Sequence, residues 1–592
     1  MRKVWTLLMA IILTITVIPI IIDIAPSIEA PTIYVDDDNT GPEDGSQANP
    51  YNTIQEAVDA AQPGDTVFVS NGTYYEDVYI NKTINLTGIG RDNTTINASS
   101  IGIFVENADY VNVSGFTTVN GSISGIRLMY SNNSIIENSR IEMNNYGMEI
   151  AYSNNTFVRS NIASNNSDYH GIYIYYSTNL TIEDNFCSNN KNAGIWAQGD
   201  SFSNKLIDNN CSYNDYGIYL GGLCHDNIVT NNTLFYNTWY GLSDSSNGGE
   251  IYINNTIQGS WAGFYIATFL QDEKIINSSI KSSSNYDIYI EGSNTHLTAI
   301  NTTFNKNKVF FGKTTNKFIV KWFLHINIED YLGDPVSNAN VNIKDNLNGS
   351  FNETFLTDIN GQIKWLTITE YIEQDPDGDN IGEKISKTPH KIVAWNNTLV
   401  GYSQPVINES KTVIIVLYNG TLLDLEPRWN LISLPRIQSD TNLQTVLQSI
   451  EGFYDAVQWY NLTDNNDHWK HYHISKPINL NDLQSLDHTQ GFWLHVIDPE
   501  GTTLVVFGDD LTSSQNISLY QGWNLVGFPS KTNKTRDIGL GTLSFESDVD
   551  AIWTYNSTMQ KWIELYDSMD YFEIGRGYWM HSRVLGVWNV PL

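Results

Sequence analysis

The sequence predicts an all-β chain: a solenoid of parallel strands over residues 31–318, a β-sandwich over 319–418, and two small β-rich modules at 423–520 and 521–592. Three observations carry this reading. A glycine recurs every 22 to 24 residues through the first half. After about Phe318 that period gives way to the alternation of antiparallel strands. The last third contains one module twice.

Residues 1–30 hold Arg2 and Lys3 and then an apolar run from about Val4 to Ile22. That pattern suits a secretory signal, cleaved after Ala25 or Ala30, or an uncleaved anchor. Either reading puts the remainder outside the cytoplasm, secreted or at the cell surface. Twenty-five Asn-x-Ser/Thr sequons, among them Asn71, Asn112, Asn348 and Asn419, fit an exported glycoprotein. A formal net charge of -33 repels nucleic acid and anionic membrane, and is compatible with calcium or other cations. Cys187, Cys211 and Cys224 are too few for a disulfide framework, so packing must hold the fold.

The glycine column reads Gly102, Gly125, Gly147, Gly171, Gly194, Gly217, Gly241 and Gly263, with Asp287 in the ninth place. Each period carries short alternating triplets such as Ile172-x-Ile174, the pattern of a strand with one buried face. One such coil cannot bury its apolar face alone, so coils must stack at about 4.8 Å and share a core. The glycine is expected at a corner needing unusual backbone angles. Asn138, Asn161, Asn185, Asn209, Asn231, Asn254, Asn277 and Asn301 run in phase and read as an inward ladder of amides. Asn231, Asn254, Asn277 and Asn301 are also sequons, and an inward amide could not carry a glycan. Cys187 and Cys211 should lie on neighbouring coils.

The repeat resembles right-handed, single-stranded parallel β-helix proteins of pectin-lyase-like architecture. Residues 33–80 resemble the usual entry to such helices. There Thr53-x-x-Glu56 reads as a capping box, and Ile54, Ala57, Val58 and Ala61 fall on one helical face that would plug the solenoid's open end.

Residues 319–418 are similar to carboxypeptidase-regulatory-like, Ig-type sandwich modules, which implies a spacer or stalk. Within them, "DPDGDNIGE" places Asp375, Asp377, Asp379 and Glu383 at near-alternate positions, with Gly378 and Gly382 permitting a tight wrap. Hard oxygen donors so spaced suit calcium, and the loop resembles those of calcium-stabilised extracellular proteins. In the last third, "RWNLISLP" returns as "GWNLVGFP", "DAVQWYN" as "DAIWTYN" and "GFWLHV" as "GYWMHS". These copies resemble paired tryptophan-rich modules at the C-termini of prokaryotic surface proteins. Their tryptophans are expected mainly to fill small cores.

No catalytic set stands out. β-Helix glycosidases need carboxylates converging on one cleft, and the acids here have no partners in register. In the column two residues past each glycine, Arg127 meets Glu149 as a stacked structural pair. If the residues one and three past the glycine point inward, this column points outward. It carries Phe104, Tyr173, Trp196, Tyr219, Tyr265 and Tyr289, and Tyr130, Tyr152 and Tyr176 stack beside it. An exposed aromatic strip of repeating spacing suits the apolar faces of sugar rings, although aromatics also stack simply to hold strands together.

The sequence therefore reads as an exported, surface-displayed protein. It would bind glycan or another extended polymer along the solenoid without catalysis, and attach to the cell envelope through its N-terminal segment or C-terminal modules. One alternative is a polysaccharide lyase or glycoside hydrolase of the same fold. Another is metal handling, since the repeat is shared with NosD-type proteins linked with copper-enzyme maturation; His468, His471, His473 and Cys224-His225 are the candidate ligands.

Overall fold

A computed structural model describes residues 31–268, 272–346 and 351–592. The expected signal or anchor at 1–30 and the sequon at Asn348 lie outside the described residues. The chain is almost entirely strand and includes a parallel β-solenoid of about 11 turns. It divides into two compact units. One comprises residues 31–251, 255–265 and 281–285; the other comprises 252–254, 266–280 and 286–592. Among the described residues no helix is long and apolar enough to cross a membrane.

In the first unit the strand Thr32–Val35 is followed by the helix Ile54–Ala60, whose Ile54, Ala57 and Val58 are buried as the pattern requires. Its N-terminus departs from a reciprocal capping box. The Thr53 hydroxyl accepts the Glu56 N–H at 3.3 Å and donates to the Glu56 carboxylate at 2.8 Å. The Ile54 and Gln55 N–H groups go instead to Glu76, 2.8 and 2.9 Å away. A carboxylate more than twenty residues downstream thus caps the helix, which no local motif could announce.

Coils follow in which each strand pairs in parallel with its counterpart in the next. Ser124–Met129 pairs with Tyr146–Ala151, with Ile126 opposite Met148 and Arg127 opposite Glu149. Residues one and three past Gly125, Gly194 and Gly217 are buried and the one between is partly exposed, as the alternation predicts, whereas Glu149 and Ser243 at the same place after Gly147 and Gly241 are buried. Arg127 Nε lies 3.4 Å from Glu149 Oε2, the expected structural ion pair. Cys187 and Cys211 occupy neighbouring coils as free, buried thiols; burial, then the Cys187 contact, pushes the Cys211 thiol up.

Two expectations about the repeat need correction. The column glycines are not at corners: Gly147 and Gly217 lie inside strands, and neither has a positive φ. Their requirement is steric. A Cβ on Gly147 would stand 2.3 Å from the Gly171 carbonyl, and one on Gly217 2.3 Å from that of Gly241. Only a missing side chain lets the coils approach there.

The asparagine column is two columns. Asn161, Asn185 and Asn209 are inward, and their ladder continues through Asn232 and Asn255, each amide donating to the next at 3.0 to 3.1 Å. Asn231, Asn254, Asn277 and Asn301 are the preceding residues. They take positive φ of 47 to 59° at the corner, a conformation asparagine tolerates. Asn138, also at positive φ, is outside too, and Asn231, Asn254 and Asn277 are exposed, so inward burial does not protect these sequons. A second ladder, Asn166–Asn190–Asn214–Asn237, runs in parallel. A hydroxyl ladder through Ser131, Ser153, Ser177 and Ser201 satisfies another bend. The fold meets its buried backbone groups coil by coil.

In the second unit, parallel strands Asp272–Ile276 and His296–Ile300 continue into Lys317–Asp330. This 14-residue strand crosses the expected boundary at 318 and pairs onward, antiparallel to Gln362–Gln374 and parallel to Lys411–Leu425. Lys411–Leu425 in turn crosses the expected break after 418 and pairs with Thr502–Phe507. Shared strands replace linkers. A buried ion pair, Lys344 Nζ to Asp498 Oδ2 at 2.6 Å, ties the same junction. Each sequence copy forms a four-stranded antiparallel sheet of the same order. Gln515–Leu519 pairs with Gly586–Val590.

Candidate aromatic face

Parallel register turns a repeat position into a physical column. Tyr173 lies opposite Trp196, and Trp196 opposite Tyr219, on three consecutive coils of the first unit. The Trp196 and Tyr219 rings stack at 3.9 Å with planes 15° apart. Phe104 packs against Tyr79 at 5.6 Å and under Arg127, and Tyr265 stacks on Tyr240 at 4.4 Å. In the second unit Tyr289 stacks on Phe310 at 4.4 Å. Beside the first-unit column Tyr130, Tyr152 and Tyr176 stack at 4.9 and 5.5 Å, the outer two 48% and 39% exposed.

The column one residue before each glycine was missed by the sequence reading. It contributes Tyr146, His170, Tyr216 and Tyr240, interrupted by Ala193, and the interruption hides it from a scan for aromatics alone. Tyr146 stacks on Tyr169 at 4.2 Å and lies 5.7 Å from Tyr173. Tyr216 stands at 82° to Trp196 and 84° to Tyr219, so its plane is turned across the stack. Sequence-predicted and unpredicted rings thus join into one face. Stacking pairs Trp196 with Tyr219 and Tyr146 with Tyr169 face to face.

Burial and neighbouring groups push the Tyr146 and Tyr173 phenols up to about 12, so both remain hydrogen-bond donors at neutral pH. His170 is buried among Tyr146, Tyr173 and Trp196. Burial lowers its pKa to about 3, and its Nδ1 faces the Ala193 N–H at 3.3 Å. The ring is therefore neutral, accepting at Nδ1. Burial raises the Glu149 carboxyl against the opposing pull of Arg127.

The calcium candidates are placed in the second unit. Oxygens of Asp375, Asp377 and Asp379 lie within 4.8 Å of one another. The buried Asp375 carboxylate accepts the Gly378 and Asn380 N–H groups, at 2.9 and 3.0 Å, which fixes the loop. Glu383 does not join them; it begins a strand, opposite Gln374. Three carboxylates are a donor set that fits calcium. The copper candidates are not gathered: among the described residues His468, His471 and His473 do not form a group of converging ligand atoms. His468 Nδ1 meets the Asn461 carbonyl, His473 Nδ1 meets Ser475, and His225 pairs with Asp226 and Asp200. Cys224 is buried, and burial pushes its thiol up to about 12.

Residues 58–250 match the family described as periplasmic copper-binding protein (NosD). No curated protein matches the chain. Among solved structures, the A-module of the Azotobacter vinelandii mannuronan C-5 epimerase AlgE6 is 17% identical. That match covers 44% of this chain and 84% of the module, with a TM-score of 0.39. Pectate lyase Pel9A is 14% identical over 48% of this chain and 79% of its own, TM-score 0.34. A rhamnogalacturonan lyase is 13% identical over 48% and 84%, TM-score 0.33.

Proposed function

We propose that the protein is exported and displayed at the cell surface, and that the aromatic face of its first unit binds an extended glycan without transforming it. The in-register column Tyr173–Trp196–Tyr219, flanked by Tyr146 and Tyr216, is the observation that carries this reading. Ring edges and protonated phenols offer apolar contact and hydrogen-bond donors together, as a hydroxyl-rich chain requires. Three consecutive coils present a ring at the same position, which suits an extended chain. The apolar segment at 4–22, the sequons and the match to a family described as periplasmic support export. In this reading the C-terminal sheets serve as stalk or attachment, and the Asp375 loop takes calcium. Replacing Tyr173, Trp196 and Tyr219 together by Thr, followed by polymer binding in affinity electrophoresis, tests the assignment.

A second reading, a polysaccharide lyase or hydrolase, is favoured by one observation. Glu149, with a raised carboxyl pKa, sits opposite Arg127 and Tyr173 on the same face. Incubating the protein with uronate and neutral polysaccharides tests it: chain cleavage that Glu149→Gln abolishes would establish it.

A further inference from the structure

The C-terminal tryptophans do not fill cores as the sequence reading expects. The cores of the two copies are built mainly from aliphatic side chains, Phe, Tyr and Met; Trp588 is a buried member of the second core and Trp459 packs against the first. Six others gather in two clusters. In one, Trp493 of the first copy meets Trp429 at 6.3 Å, and also Tyr555 and Trp562 of the second copy at 5.1 and 5.5 Å. In the other, Trp579 of the second copy meets Trp523 at 6.3 Å, and also Tyr460 and Trp469 of the first copy at 5.1 and 5.8 Å. The two clusters are reciprocal, each completed by rings of the other copy.

The likeness extends to a polar group. His495 packs on Trp429 at 4.8 Å, and its Nδ1 lies 2.6 Å from Asp455 Oδ1. His581 packs on Trp523 at 5.1 Å, and its Nδ1 lies 2.5 Å from Asp550 Oδ1. In each case the aspartate holds Nδ1–H, which leaves Nε2 as the second polar atom of the ring.

Comparison of the two copies separates packing from recognition. Several core positions have drifted within the limits packing allows, Ile432 against Val526, Leu434 against Phe528, Phe492 against Tyr578 and Leu494 against Met580, while Leu431 and Leu525 are alike. The cluster positions have not. Trp429, Tyr460, Trp469, Trp493, His495 and Asp455 are matched by Trp523, Tyr555, Trp562, Trp579, His581 and Asp550. These rings are only partly buried, with Trp523 39% and Trp562 49% exposed. Identity held at partly exposed aromatics, while several core positions vary, points to a ligand.

The geometry also narrows the ligand. Ring planes here meet at steep angles, 66 to 87° in the first cluster, so edges meet faces and the rings do not close into a parallel stack. Asp455 and Asp550 are engaged by histidine, and Asp550 also by Arg583 at 2.8 Å. Both aspartates are thus already paired within the clusters. A neutral ligand with an apolar face and peripheral hydroxyls is what the groups present can satisfy.

We propose that the two clusters are a pair of equivalent binding sites for neutral sugar units, each seating a pyranose on tryptophan with a hydrogen bond to the aspartate-held histidine. These sites are independent of the solenoid face. The test uses the full chain carrying the Tyr173, Trp196 and Tyr219 to Thr substitutions, so that solenoid binding cannot contribute. Hexasaccharides of β-1,4-glucose, β-1,4-N-acetylglucosamine and mannose are the probes, followed by tryptophan fluorescence and calorimetry. At least one should bind with two equivalents per chain. Trp523→Ala should leave one equivalent, and Trp429→Ala with Trp523→Ala should weaken binding by about tenfold or more. These two rings are chosen because the cross-copy contacts run through Trp493 and Trp579, so melting should be unchanged. His495→Gln with His581→Gln should weaken binding without changing stoichiometry. No binding of any probe would overturn the proposal. So would full binding by the Trp429→Ala, Trp523→Ala protein, or a fall in its melting temperature with binding intact.

Discussion

Trp196 and Tyr219 face each other on consecutive coils, their rings 3.9 Å apart and nearly parallel. The relationship follows from stacking alone: parallel coils repeat every position at the strand spacing, so two aromatics in one column must meet. The same contact could serve stability or binding, and the difference is measurable.

The inward ladder sets the stability of the coils. Asn209 Oδ1 accepts both the backbone and the amide N–H of Asn185 at 3.0 Å, and its own amide donates to Ile182 O at 2.8 Å and to Asn232 Oδ1 at 3.1 Å. Asn209→Ala leaves those buried groups unpaired and should cost about 1–3 kcal/mol in denaturant unfolding. Asn231→Gly, at a neighbouring outward position of positive φ, should stay within about 0.5 kcal/mol. Equal losses in the two variants would count against the ladder.

These two asparagines also mark how far the sequence could be read. Period, strand alternation, outward column and capping helix were all legible, because each is a repeating or local pattern of apolar residues. Which of two adjacent asparagines points inward was not, since Asn231-Asn232 and Asn254-Asn255 differ only in backbone φ. The glycine requirement was misread for a related reason: a carbonyl 2.3 Å from an imagined Cβ belongs to the next coil, which a local reading cannot see. The tryptophan clusters were hidden because each needs rings from both copies. The Glu76 cap was hidden by its distance along the chain.

His170 gives the first unit an acid limit. The unfolded imidazole takes a proton near 6.5, and the folded one refuses it until about 3. Between those values the unfolded state binds more protons, so stability falls as pH falls from 6.5 toward 3. His170→Gln should flatten that slope: the melting temperature of the parent chain should drop further than the variant's between pH 7 and pH 4. Parallel curves would mean that His170 is not buried in neutral form.

Calcium should act through the Asp375 loop. Added calcium is expected to raise the melting temperature of the full chain, a chelator to lower it, and Asp375→Asn to remove the response. Asp377→Asn should weaken the response, and Glu383→Gln should leave it intact, since Glu383 stands apart from the three aspartates. A calcium shift of the same size in Asp375→Asn would place the ion elsewhere.

The most direct measurement of the account is affinity electrophoresis of the Tyr173, Trp196 and Tyr219 to Thr protein in gels containing extended polysaccharides. It is run beside a melting curve, in a chain whose C-terminal sites are disabled by Trp429→Ala and Trp523→Ala. Threonine keeps strand propensity and removes the rings. A glycan-binding face predicts that the parent chain is retarded by at least one polymer, that the triple variant is not, and that each lost ring costs on the order of 1 kcal/mol of binding. Retardation equal to the parent's, together with a lowered melting temperature, would contradict it and leave the aromatic columns as the solenoid's own adhesive.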